Sequence, residues 1–224
     1  MLILAADTSG KNGSLALVRV EPGAFHTLEL VSLEGGTFSA QLVTQISSLL
    51  IQHNLAKSDV DGFAVASGPG SFTGLRVGLA AIKALAEILR RPIAAVSVLE
   101  AIARAAEREG RVLAALDAGR GEIYCGEYEI REGDARLVAQ MLVTAAEFAE
   151  SAEGCQVITP DAKVAELARE KNLTVIVIAS PRADSVARLG FEKIQAGETV
   201  TAEALDATYI RRTDAEIQKD ARGQ

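Results

Sequence analysis

Two aspartates and one glycine-rich stretch carry the residue types and spacings most open to chemistry. Asp7 closes the apolar run Leu2-Ile3-Leu4-Ala5-Ala6 and leads into Thr8-Ser9-Gly10. Asp117 closes Val112-Leu113-Ala114-Ala115-Leu116 and leads into Ala118-Gly119-Arg120-Gly121. A carboxylate at a strand end, followed by a turn, can face bound phosphates and magnesium, or can simply cap the turn. The glycine-rich stretch is Ser67-Gly68-Pro69-Gly70-Ser71-Phe72-Thr73-Gly74-Leu75-Arg76-Val77-Gly78. It follows a predicted strand and opens a predicted helix, where backbone N–H groups can cradle an anion. It matches neither common phosphate loop. Its third glycine comes one residue late for G-x-G-x-x-G, and no lysine follows Gly74 as a Walker loop requires. Spacing favours a packing role instead: Gly74, Gly78 and Ala81, with Ala80, Ala84 and Ala86 alongside, form a small-residue surface that lets another helix approach closely.

The remaining reactive residues are few. Cys125 and Cys155 have no C-x-x-C spacing, and His26 and His53 form no helical metal-binding pair, so no metal site is expected. There is no G-x-S-x-G elbow and no Ser-His-Asp set. Glu107, Arg108, Glu109 and Arg111 read as a solvated charged cluster, and Arg211-Arg212 as a surface pair.

The 224 residues carry a net charge of −7, are 49% hydrophobic and 24% charged, and include 6 Phe, 3 Tyr and no Trp. That balance excludes a disordered chain and argues against a free-standing nucleic-acid binder, which needs a basic face. No apolar run approaches the ~18 residues of a membrane span, and the N-terminus has no basic region of a signal peptide. A soluble, cytoplasmic protein with no membrane partner is expected.

These residues must be positioned by alternating strands and helices. Leu2–Thr8, Ser14–Val20 and Phe25–Leu33 read as antiparallel strands. Leu42, Ile46, Leu49 and Leu50 recur at helical spacing over Ser39–Asn54. A strand at Val60–Ser67, a helix to Leu89, a strand at Ile93–Val96 and a helix at Leu99–Arg108 follow. The second half restarts the pattern: Asp117 lies 110 positions after Asp7, and Glu132-Gly133-Asp134-Ala135 mirrors Glu21-Pro22-Gly23-Ala24. The expectation is an α/β chain of two duplicated β-β-β-α-β-α subdomains, 1–108 and 109–224. A last helical segment from Gly190 and a frayed polar tail, Asp214–Gln224, complete it.

Ile3-Leu4-Ala5-Ala6-Asp7-Thr8-Ser9, the glycine-rich stretch through Gly78, Val96-Ser97-Val98-Leu99-Glu100-Ala101, Asp117–Tyr124 and Tyr209-Ile210-Arg211 together closely resemble the TsaB (YeaZ) family. The resemblance implies an actin-like ATPase (ASKHA, ribonuclease H-like) fold. It implies a non-catalytic dimerisation subunit of the apparatus that installs threonylcarbamoyl on adenosine 37 of tRNA. Such a subunit pairs with the catalytic TsaD, with the ATPase TsaE and tRNA reached through the complex. The complex uses ATP, and no cofactor is expected for the isolated chain, which could form a homodimer when alone. Pairing is implied for the helices near Ser39–Asn54 and Thr73–Leu89. The candidate interface is Leu42, Ile46, Leu49, Phe72, Thr73, Gly74, Leu75, Arg76, Gly78, Leu79 and Ile82. Asp7, Thr8, Ser9 and Asp117 become a degenerate nucleotide cleft, since neither loop has a sugar-kinase double glycine. Phe38 stands where members often have histidine, and Gly119 where they often have arginine. Rival readings are an actin-fold ATPase or phosphotransferase using Asp7 and Asp117 and, more remotely, a glycoprotease-like peptidase.

Overall fold

The computed structural model describes residues 1–208 and 210. The predicted tail Asp214–Gln224, with Tyr209, Arg211 and Arg212, lies outside the described residues. The first half runs β1 (Leu2–Asp7), β2 (Gly13–Glu21), β3 (Ala24–Leu33), α1 (Phe38–Gln52), β4 (Gly62–Gly68), α2 (Phe72–Leu89), β5 (Ile93–Ser97) and α3 (Val98–Ala105). The second half repeats the order: β6 (Gly110–Gly119), β7 (Glu122–Arg131), β8 (Asp134–Thr144), α4 (Phe148–Ser151), β9 (Gln156–Thr159), α5 (Ala162–Glu170), β10 (Val175–Val177) and α6 (Ala183–Gln195). Each unit is therefore β-β-β-α-β-α-β-α: the expected strand at Ile93–Val96 and helix at Leu99–Arg108 are β5 and α3, so the six-element formula is one strand and one helix short of the unit. The helix expected from Gly190 is the second half of α6.

Each half forms a five-stranded sheet, in the orders β3-β2-β1-β4-β5 and β10-β9-β6-β7-β8. In both, the first three strands are antiparallel and the last two join parallel to the central strand. Even the bulges correspond, between Leu17 and Val18 in one half and Glu127 and Tyr128 in the other. This is the duplicated actin-like, ribonuclease H-like arrangement.

Local chemistry explains the hairpins. Pro22-Gly23 and Glu132-Gly133 turn the chain in two residues, and Gly23 and Gly133 take φ of 77° and 81°, where a side chain is strained. The parallel strand β4 is buried along its whole length, as expected of a strand covered on both faces. α1 and α2 cover one face of the first sheet: Leu42, Ile46, Leu49, Leu75, Leu79 and Ile82 pack there with Leu4, Leu15, Leu17, Phe63 and Val65.

The helices cross between the halves. α6 covers the other face of the first sheet, where Val186, Ala187 and Leu189 meet Ile3, Ala16, Ala64 and Val96. α3 lies on the second sheet, with Leu99, Ile102 and Ala103 against Val112, Ala114, Tyr128 and Ile158. A division at residue 108 thus separates the two sheets but not the two packed bodies. Each lobe's core borrows a helix from the other half of the chain. Among the described residues, no helix is long and apolar enough to cross a membrane.

Candidate functional site

A cleft of about 1450 Å³ separates the lobes and is lined by both strand-ending aspartates. Asp7, Ser9, Lys11 and Pro69–Phe72 form the rim of the first lobe, and Asp117, Arg120, Pro160 and Asp161 that of the second. Val98, Ile102, Leu116 and Tyr124 supply an apolar wall. Duplication thus brings Asp7 and Asp117 to one cavity, as the repeat predicts.

Their surroundings differ. Asp7 is buried, and its Oδ1 accepts hydrogen bonds from Ser9 N (2.9 Å) and Ser9 Oγ (2.6 Å). Burial pushes its pKa above the ordinary carboxylate range, partly opposed by the two Ser9 bonds. Asp117 is exposed. Its Oδ1 accepts from Gly119 N (2.8 Å), its Oδ2 lies 3.7 Å from Lys163 Nζ, and its own N–H donates to Asp161 Oδ2 (2.7 Å). The loop after Asp7 spans Thr8–Asn12, whereas β6 turns into β7 through Arg120-Gly121 alone.

The glycine-rich stretch is packed onto the Asp7 turn. Ser71 N donates to Ser9 O (2.6 Å), and Thr8 Oγ1 donates to Gly74 O (2.7 Å). Ser71 caps α2, its Oγ accepting from Gly74 N (3.2 Å). A Cβ on Gly70 would overlap Ser9 O, one on Gly74 would overlap Thr8 O, and one on Gly78 would overlap Thr8 Oγ1. The small residues therefore serve close approach, as their spacing suggested, but the neighbour is the chain's own β1 turn rather than another helix. The same contacts occupy two of the backbone donors at the start of α2. The Ser71 and Gly74 N–H groups already have partners, and Ser9 fills the space beside Gly70. The start of α2 is thus partly filled by the chain's own β1 turn.

The expected interface residues separate into two sets. Leu42, Ile46, Leu49, Gly74, Leu75, Gly78, Leu79 and Ile82 are buried in the chain's own core, so their side chains are not available to a partner. The reason is general: an amphipathic helix turns its apolar stripe toward the nearest sheet. Phe72, Thr73 and Arg76 are exposed, with the Arg76 guanidinium 3.7 Å over the Phe72 ring. The apolar side chains that do project from these helices are Val43 (63% exposed), Ile51 (73%), Phe72 (44%) and Ile88 (78%). Phe72 apart, residue spacing did not single them out.

Two departures from the family pattern now have a local reason. Phe38 is buried and packs where a Cβ on Gly13 would come 2.9 Å from its ring. Gly119 sits at φ 72°, which glycine adopts without strain, beside Arg120 at φ 57° in the same turn. Asp161 and Lys163 escaped notice in the sequence. The signal was Thr159-Pro160-Asp161, the turn from β9 to α5 and the counterpart of the glycine-rich turn from β4 to α2. Among the described residues, no three His, Cys, Asp or Glu side chains gather as a metal site would need.

Residues 36–182 match the family model described as TsaD: tRNA N6-adenosine threonylcarbamoyltransferase. The chain belongs to that family. Its similarities lie with the TsaB (YeaZ) members. It is 28% identical over 227 residues to the Escherichia coli protein named tRNA threonylcarbamoyladenosine biosynthesis protein TsaB, covering 96% of each chain. The Bacillus subtilis protein of the same name is 36% identical over 134 residues, 59% of this chain and 57% of that one. The solved structure of YeaZ from Pseudomonas aeruginosa superposes with a TM-score of 0.77 at 28% identity, over 93% of this chain and 99% of that one. In this TsaB-type chain the cleft and the outer faces of α1 and α2 are both open surfaces.

Proposed function

We propose that this chain serves tRNA threonylcarbamoyladenosine biosynthesis as a non-catalytic dimerisation subunit in the cytoplasm. It pairs with a TsaD-type catalytic subunit through the outer faces of α1 and α2 and activates it. A TsaE-type ATPase, ATP and tRNA are engaged by the complex, and the same face can join two copies of this chain when the partner is absent.

The observation that carries this reading is the character of that face. α1 contains no charged residue, and Ala40, Val43, Thr44 and Ile51 project from it. Thr73, Ala80, Ala84 and Ile88 project from α2. Exposed apolar surface of this kind is a mark of protein association, and small residues let a partner helix come close. A stable pairing there should bury on the order of 1,200–2,000 Å². The cleft is consistent with the non-catalytic half of the proposal, since Asp7 is buried and bonded to Ser9 and neither loop carries a double glycine.

The deciding experiment is reconstitution of tRNA modification with the catalytic subunit, with and without this chain. Val43→Lys/Ile88→Lys should lose pairing and activation while melting within a degree or two of the parent, because both side chains are exposed. A catalytic subunit equally active alone would overturn the scaffold role. ATP turnover by the isolated chain, lost in Asp7→Asn or Asp117→Asn, would replace it with the ATPase reading.

A further inference from the structure

The exchange of α3 and α6 between lobes creates a boundary whose chemistry is specific. α6 belongs mechanically to the first lobe: Gly190 lies so close to the sheet that a Cβ would overlap that of Ala64, and Ala183 N donates to the buried Ser14 Oγ (2.9 Å). α3 leans mainly on the second lobe, where a Cβ on Gly126 would sit 3.2 Å from that of Leu99, while its Ala101 also packs into the core of the first. A change in the opening of the cleft therefore bears on the contact between α3 and α6.

Two ion pairs of opposite polarity cross this line. The Glu100 carboxylate of α3 lies 3.1 Å from the Lys193 ammonium of α6. Arg104, one turn further along α3, holds Glu192 through both guanidinium nitrogens. Glu100 and Lys193 are 16% and 22% exposed, so solvent screens that pair far less than a surface one. Glu198 adds a longer contact to Lys193 at 3.9 Å. Val98 and Ile102 point the opposite face of α3 into the main cleft, whereas Arg104 lines a second cavity of about 470 Å³ between α3 and α6. The pairs thus sit behind the hinge line, with the main cleft in front.

We infer that Glu100–Lys193 and Arg104–Glu192 form an ionic latch that fixes the opening of the interlobe cleft by tying the two exchanged helices together. Packed apolar helices can slide between neighbouring positions at small cost. Two pairs of opposite polarity resist sliding, because a shift of one turn breaks both and carries one residue of α3 toward a like charge, Glu100 toward Glu192 or Arg104 toward Lys193. The latch acts within the isolated chain and does not depend on the identity of any partner.

The test measures lobe separation directly. Spin labels are placed on Lys11→Cys and Ala162→Cys, exposed positions on opposite sides of the cleft, in a Cys155→Ser background, and the distance distribution is recorded by pulsed electron resonance. The parent should give one narrow distribution. Glu100→Gln/Glu192→Gln should broaden it, with the open population rising on the order of tenfold. The swap Glu100→Lys/Lys193→Glu keeps two ion pairs but gathers positive charge on α3 and negative charge on α6, so it should leave the distribution broad. Reversing all four charges (Glu100→Lys/Arg104→Glu/Glu192→Arg/Lys193→Glu) should narrow it again. An unchanged distribution in the double glutamine variant, even with a lower melting temperature, would show that the pairs only stabilise and would overturn the latch. So would a four-charge reversal that fails to restore the parent distribution, or a two-charge swap that keeps it. Should the double variant not fold, Glu100→Gln and Glu192→Gln singly carry the same expectation at smaller amplitude.

Discussion

Gly74→Ala probes whether the glycine-rich helix start is built for the chain's own turn or for a visitor. The new methyl would overlap Thr8 O, a backbone atom at the end of β1, and so cannot be relieved by a side-chain rotation. Overpacking of this kind costs about 1–3 kcal/mol, and a rigid backbone obstacle belongs in the upper half of that range. Separating α2 from the turn also stretches the Thr8 Oγ1 bond to Gly74 O, now 2.7 Å, worth about 1 kcal/mol. Against this, alanine is better than glycine in a helix by about 1 kcal/mol. The net loss is about 2 kcal/mol, which for a chain of this length lowers the melting temperature by ~4–8 °C. Urea and thermal unfolding of the isolated chain measure it. Gly78→Ala is the internal comparison: its obstacle is Thr8 Oγ1, which can rotate away, so Thr8→Ala should largely relieve Gly78→Ala and leave Gly74→Ala costly. A Gly74→Ala chain as stable as the parent, yet unable to pair with the catalytic subunit, would refute the reasoning. The glycine would then be reserved for a partner helix.

Three further outcomes follow from burial. Asp7 has its pKa raised by desolvation, so its neutral form is favoured in the fold, and stability is lost as pH rises through the raised value. Asp7→Asn, which keeps an acceptor for Ser9, should melt higher than the parent at pH 7, with the difference vanishing in acid. An equal gain at all pH values would exclude the charge as its cause. Burial pushes the Cys125 thiol up to about 12. At pH 8 its thiolate fraction is about 10⁻⁴, so iodoacetamide should modify Cys125 only after denaturation, while half-buried Cys155 reacts in the native chain. Mass spectrometry distinguishes the two sites. Gly190→Ala, aimed at Ala64, should cost about 2 kcal/mol by the same overpacking argument and can be read by urea titration.

The strands and turns could be read from the chain because their signals are local. Pro22-Gly23 and Glu132-Gly133 prescribe tight reversals wherever they occur, and a buried parallel strand such as β4 announces itself as an unbroken apolar or small run. The repeat was visible for the same reason, since Asp7 and Asp117 each end a strand and begin a turn. What escaped was every question of what an apolar face is buried against. Leu42, Ile46 and Leu75 recur at helical spacing whether the covering surface is the chain's own sheet or another molecule. Val43 and Ile88, left outside, are visible only once that sheet is in place.

Two placements depended on distant parts of the chain. α3 carries Leu99, Ile102 and Ala103 on one side, a stripe that suits either sheet, yet it lies on the second while α6 returns to the first. Glu100 and Arg104 meet Lys193 and Glu192 only because of that exchange, and nothing near either pair in the chain foretells it. The glycines of the helix start divide along the same line. Their spacing required that something come close to α2, because only a missing side chain leaves that room. Which atom fills it was settled by the tertiary fold, which brings the carbonyl of Thr8 from the end of the central strand against Gly74 and that of Ser9 against Ser71.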